Sequence, residues 1–150
     1  MNESGDSDDR ARGGRTSVFH TARRRREQLL ARGWPTAQDL AELLTGHGLT
    51  PDVAALRESG ALLGAWSAAD RAFVYPDCQF DREGHLLSAI RPLLTMLPAG
   101  GDPGGWRRVF WLYGPRDALD GQTPAHWLSR DPDRVLALAQ LEFGVPAPRT

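Results

Sequence analysis

Between residues 36 and 60 the apolar positions recur every three or four residues and are broken by glycine, the pattern of two short helices. Ala37, Leu40, Ala41, Leu43 and Leu44 share one helical face, Thr36 is a suitable N-cap with Asp39 three residues on, and Gly46 and Gly48 stop the helix. Thr50-Pro51 then supplies a cap and a proline at a first helical position, and Val53, Ala54 and Leu56 carry a second helix to Gly60. The stretch ALLGAWSAADRAFVYP follows, two apolar runs around a polar turn at Ser67 to Arg71, which predicts a β-hairpin. Helix, glycine turn, helix and hairpin make a helix-turn-helix-like part of winged or MerR-like form; a two-helix hairpin with no role on DNA has the same pattern.

From Tyr75 the pattern changes. YPDCQFDREG reads as a turn-rich connector, and Leu86, Leu87, Ile90, Leu93, Leu94 and Leu97 then follow at helical spacing, with Pro92 tolerable near an end or as a kink. Residues 98–105, PAGGDPGG, read as a flexible loop. Trp106, Val109, Phe110, Trp111 and Leu112 form a dense cluster that predicts a short buried helix, ended by Gly114-Pro115. Leu119-Asp120-Gly121 is a turn, and Thr123-Pro124 and Asp131-Pro132 each open a further helix, the last one closing at Phe143-Gly144. The expected fold is therefore mainly α, a small helix-turn-helix-like N-terminal part followed by a C-terminal bundle of short helices. The expected divisions are a disordered tail (1–21), a short basic helix (22–33), the helix-turn-helix-like part (34–76), a helical domain (77–144) and a second tail (145–150).

Composition narrows the chemistry. The 150 residues are 41% apolar with five Trp and five Phe, enough for a core, and the net charge is −1. All 18 basic residues are arginine, which suggests codon bias in a GC-rich genome. A nearly neutral chain contacts DNA only through a local patch, for which Thr50, Asp52, Arg57 and Arg71 are the candidates. The second helix carries a single arginine, and Asp52 and Glu58 oppose phosphate contact. The Arg23–Arg26 run reads as a solvated helix face, with phosphate contact as the alternative.

The lone Cys78 excludes an internal disulfide, and four scattered histidines give no zinc spacing. No apolar run reaches the ~20 residues of a membrane span, and no signal-peptide core is present, so a cytoplasmic location is expected. No nucleophile, base and metal group share a motif, and the glycines of residues 100–105 lack the ending of a phosphate loop. The expectation is a binding protein, not an enzyme, with no cofactor and no metal.

Four segments of the second half carry a family resemblance. They are Tyr75, Pro76, Gln79, Phe80, Asp81 and Gly84; Trp111 and Leu112; Leu119, Gly121 and Pro124; and Val135 and Ala139. In this order they resemble the antitoxin family typified by Xre, MbcA and ParS, over roughly residues 34–143. The resemblance implies a partner toxin of the RES type, similar to ADP-ribosyltransferases and consuming NAD. It also implies an N-terminal DNA-binding part, a C-terminal helical toxin-binding part, a homodimer and repression of its own operon on operator DNA. The candidates for toxin or dimer contact are Trp111, Leu112, Leu119, Gly121, Pro124, Trp127, Arg130, Arg134 and Val135. Trp127 can face either core or partner, and Arg130 and Arg134 are the candidates for exposed contacts. The alternative is a stand-alone helix-turn-helix regulator without a toxin.

Overall fold

A computed structural model describes residues 21–45 and 52–144, without the side chains of residues 43–45. The tails expected at both ends, and the turn with Gly46, Gly48, Thr50 and Pro51, fall outside the described residues apart from Thr21, which is helical. The chain divides into two units, Met1–Gly33 and Trp34–Thr150. Within the first, α1 covers residues 21–30; Arg23 pairs with Glu27 one turn on at 3.3 Å, and Leu29 is buried.

The second unit is mainly helical with a two-stranded sheet. Helix α2 (Ala37–Thr45) opens on the reciprocal cap that its sequence predicts: the Asp39 amide donates to Thr36 Oγ1, and the Thr36 amide donates to Asp39 Oδ2. Helix α3 (Val53–Glu58) is capped by Asp52, whose Oδ1 accepts from the Ala55 amide at 3.1 Å. Its end is a Schellman turn: the Ala61 amide reaches Leu56 O, the Gly60 amide reaches Arg57 O, and Gly60 is left-handed. Leu40, Val53, Leu62 and Tyr75 form a buried cluster joining the two helices to the chain before and after the hairpin.

The hairpin forms where the apolar runs predict it. Strands β1 (Ala65–Ser67) and β2 (Ala72–Val74) pair antiparallel with Ala65 opposite Val74. Ser67 Oγ donates to Asp70 Oδ2 at 2.8 Å across the turn, and Arg71 takes a left-handed φ of 51°. Thr36 bridges the far side of β2 at Val74, and the Tyr75 amide donates to Pro35 O. Helix, helix and hairpin thus follow one another in the order of a winged helix-turn-helix.

After a 3-10 turn at Asp77–Gln79 come α4 (Ile90–Met96), α5 (Trp106–Leu112), a 3-10 turn at Asp117–Leu119, α6 (Pro124–Trp127) and α7 (Pro132–Phe143). Helix α4 packs on α7, and α6 packs on both α5 and α7. Ile90, Leu93, Leu97, Val109, Leu112, Leu119, Leu128, Val135 and Ala139 are buried in this half, each large apolar side chain contributing ~1.5–3 kcal/mol. Helix α4 starts later than the apolar spacing from Leu86 predicts. Leu86 instead bridges back to Phe80 and the Leu87 amide donates to Gln79 O, which holds both residues extended. Thr123 caps α6 through Oγ1 as expected, but the Asp131 side chain makes no capping bond to α7.

The glycine-rich segment 98–105 is ordered by contacts its composition does not reveal. Asp102 is buried and caps α5 from below, accepting from the Arg107 and Arg108 amides and pairing with Arg108 Nε at 3.1 Å. Gly104 O accepts the Trp66 amide, extending the sheet edge, and Trp106 Nε1 donates to Trp66 O. Gly105, at φ 76°, comes so close to β1 that a Cβ would lie 2.0 Å from Gly64 O. Gly121 is also left-handed, but a Cβ there meets nothing within 4 Å. We therefore expect Gly121→Ala to cost only the backbone penalty of about 1–2 kcal/mol, and Gly105→Ala to cost more than about 3 kcal/mol, because the helix must also back away from the strand. Urea unfolding of the two variants measures the difference.

Candidate partner-binding site

The motif beginning at Tyr75 is built around one amide. Tyr75 and Pro76 are buried, and the 3-10 turn they lead into sets Gln79, at 0% exposure, under the chain that precedes β1. Gln79 Oε1 accepts the Leu63 amide at 2.7 Å, while Nε2 donates to Leu63 O at 2.9 Å and to Pro76 O at 3.1 Å. Phe80 packs half-buried on the Leu40 and Tyr75 cluster. Asp81 then folds the loop over itself, its Oδ1 accepting the Glu83 and His85 amides at 2.9 Å. The His85 amide chiefly holds the Asp81 carboxyl below its ordinary range. A depressed carboxyl contributes above its unfolded pKa and is lost as pH falls through the folded value, so this loop loosens on acidification.

The second motif ties α5 to the end of α7. Trp111 is buried, its indole N–H donates to Glu142 Oε2 at 2.6 Å, and its ring meets Phe143 edge-on. Arg116 lies 5.4 Å from the same ring and pairs with Glu142. Leu112, Leu119 and Val135 are core residues at 0–1% exposure, and Pro124 is buried at the start of α6. Gly121 and Asp120 make the left-handed corner in which Arg116 O accepts the Leu119 and Gly121 amides. Trp127 is half-buried and faces this corner: its Nε1 donates to Leu119 O at 3.0 Å. Arg134 covers the ring at 4.6 Å and donates from Nη2 to Ala118 O and Asp120 Oδ2, so it clips α7 to the corner.

Arg130 differs from these. It is exposed and its side chain makes no ion pair among the described residues. It lines an open depression of about 600 Å³ with Ser129 and with Phe80, Asp81, Arg82 and Glu83 of the first motif. Arg82, also in the lining, is exposed and makes no ion pair among the described residues; residue spacing alone does not single it out. The depression brings two guanidinium groups, the Asp81 and Glu83 carboxylates, a half-buried ring and a hydroxyl to one surface, a mixed-charge lining suited to complementary charges on a protein partner. Nearby, burial, with Cys78 and the Asp77 carboxylate beside it, pushes the Tyr113 hydroxyl far above its ordinary pKa, and the hydroxyl donates to Asp77 Oδ1 at 3.2 Å.

The DNA candidates do not converge. Asp52 is committed to capping α3, and Thr50 lies outside the described residues. Arg57 stacks 3.9 Å over Phe73, with Nε buried and unbonded, and so serves packing of α3 on the hairpin. Arg71 is exposed at the hairpin turn. The residues that α3 leaves exposed are Ala54, Ala55 and Glu58, none of them cationic. Among the described residues no three His, Cys, Asp or Glu side chains are grouped to hold a metal, and no helix is long and apolar enough to cross a membrane.

No family model matches the chain, and no curated protein matches it. Among solved structures, the NMR structure of Rv2175c is similar, with a TM-score of 0.51 and 25% identity over 71% of this chain and 82% of that one.

The amide at residue 79 gives a direct test. Gln79→Leu strands the Leu63 N–H and C=O and should cost about 3–5 kcal/mol. Gln79→Glu can accept the Leu63 amide and donate to one of the two carbonyls only when protonated, so its folded pKa is raised. Its stability is complete below the unfolded pKa and is lost as pH rises through the folded value. Urea midpoints at pH 4.5 and 7.5 should therefore fall with pH for Gln79→Glu relative to the parent chain.

Proposed function

We propose that this chain is an antitoxin of a type II toxin–antitoxin system: its helical half binds and blocks a RES-type, NAD-consuming toxin in the cytoplasm, and a dimer of it represses its own operon. One observation carries the reading. The four separated motifs resembling the Xre, MbcA and ParS family pack into one continuous framework, and the open depression of about 600 Å³ lies where the first motif meets the α6–α7 corner. Most motif side chains are used up in holding that framework, which leaves Arg82 and Arg130, with Glu83 beside them, as charged groups available to a partner. Blocking is then steric: a toxin surface held against the helical half is closed to its substrate. The two exposed guanidinium groups supply orientation and association rate, and the half-buried Phe80 ring supplies apolar contact.

The stand-alone regulator is the second reading, favoured by the helix, helix and hairpin order of α2, α3 and β1–β2. The presence or absence of a RES-like gene beside this one separates the two.

Tagged full-length chain should co-purify with the product of the adjacent gene and rescue cells from its toxicity. Arg82→Glu with Arg130→Glu should weaken that complex at least about tenfold, a change of about 1.4 kcal/mol or more, with urea stability unchanged. No complex together with no rescue would sink the antitoxin reading.

A further inference from the structure

Charge is divided unevenly along this chain. Residues 21–33 carry five arginines against the single Glu27, whereas residues 34–150 carry ten arginines and fourteen carboxylates, giving net charges of +4 and −4. The Trp34–Thr150 unit therefore repels a polyanion overall, and its expected recognition helix α3 exposes Glu58 and no cation. We propose that the phosphate-contacting element of this protein is α1, residues 21–30, which lies along the groove of duplex DNA, and that α3 is not that element. The proposal deepens the operon-repression part of the function proposed above and rests on that part alone.

The geometry favours a nucleic-acid duplex over an acidic protein face. Successive helical residues turn by about 100°, so the exposed Arg23, Arg24 and Arg26 span about 160° of the circumference of α1, with Arg24 and Arg26 on opposite flanks and the partly covered Arg25 on the side of Leu29. A flat acidic surface can meet only one side of such a helix. The major groove of B-DNA admits a helix and walls it with phosphates on both sides, so cations on opposite flanks are all used. Arg23, Arg24 and Arg26 are exposed, and guanidinium matches the phosphate oxygens in pairs. The exposed Arg23–Glu27 pair within the helix is weak enough to exchange for a phosphate. Among the described residues of α1, Leu29 is buried and Ala22, Arg25 and Leu30 are partly covered, which leaves Arg23, Arg24 and Arg26 exposed. Contacts of this kind are made to the backbone and are insensitive to base sequence.

The test is fluorescence anisotropy of the full-length protein on a mixed-sequence DNA duplex across 50–200 mM salt. Three arginine-to-alanine changes at Arg23, Arg24 and Arg26 should lower the slope of log K against log salt by about 2–3, at ~0.9 for each phosphate no longer neutralised. The triple lysine variant should restore the slope, which separates loss of charge from loss of fold. An unchanged slope in the alanine variant overturns the proposal, as does an intact protein that fails to bind duplex at 50 mM salt. Equal affinity and slope on poly-glutamate of matched charge would also overturn it, in favour of an acidic protein partner. Rescue from the toxin is scored in the same variants. In the unsubstituted chain, rescue without DNA binding refutes this role of α1 while leaving toxin neutralisation standing, and binding without rescue does the reverse; in the alanine variant, rescue with a lowered salt slope is the expected result.

Discussion

The carboxamide of Gln79 holds the two halves of the Trp34–Thr150 unit in register. A side chain with one acceptor and two donors meets one amide and two carbonyls, all shielded from water, so each of its hydrogen bonds is made in a low-dielectric setting where a missing partner is costly. Leu63 leads into the hairpin and Pro76 leads out of it, so the clasp fixes where β1 and β2 lie relative to the helices that follow. From the other side, the close approach of Gly105 to Gly64 and the buried Asp102–Arg108 pair fix the start of α5 against the same strand. The hairpin is thus clamped on two sides, and α5, α6 and α7 are built outward from it.

That arrangement changes what the family-like motifs mean physically. Trp111, Leu112, Leu119 and Val135 look in the sequence like a possible contact surface, but their side chains fill the interior. Trp127 and Arg134 close the corner at Asp120 and Gly121 by a hydrogen bond and a cation–π contact. The motifs therefore define a scaffold. What the scaffold presents is the loop 80–85 folded by Asp81 and the corner at Ser129 and Arg130, brought together around one depression.

The legible parts of the fold are those set by neighbours in sequence. The Thr36–Asp39 cap, the turn at Ser67 to Arg71, the helix from Trp106 to Leu112 and the Thr123-Pro124 start are all local chemistry, and the pattern of residues finds each of them. The parts that were not legible depend on distant partners. Gln79 bonds to a residue 16 positions away, Asp102 is buried by α5 within a stretch whose composition suggests a free loop, and Leu86 is held extended by Phe80. Arg57 has the composition of a DNA contact but is spent on the Phe73 ring, a use that only the hairpin's position creates. Arg82 could have been noticed only from its place inside the Gln-Phe-Asp-x-x-Gly segment, since nothing in its spacing distinguishes it from other surface arginines.

The central claim is that buried motif residues form the framework and that the surface around Arg82 and Arg130 meets the partner. Amide hydrogen exchange of the full-length chain, alone and with the product of the adjacent gene, tests this most directly. We expect new protection at residues 80–85 and 128–131, with exchange of the buried Leu63 amide unchanged. Protection centred on α3 and the hairpin, with residues 80–85 exchanging as in the free chain, would contradict it.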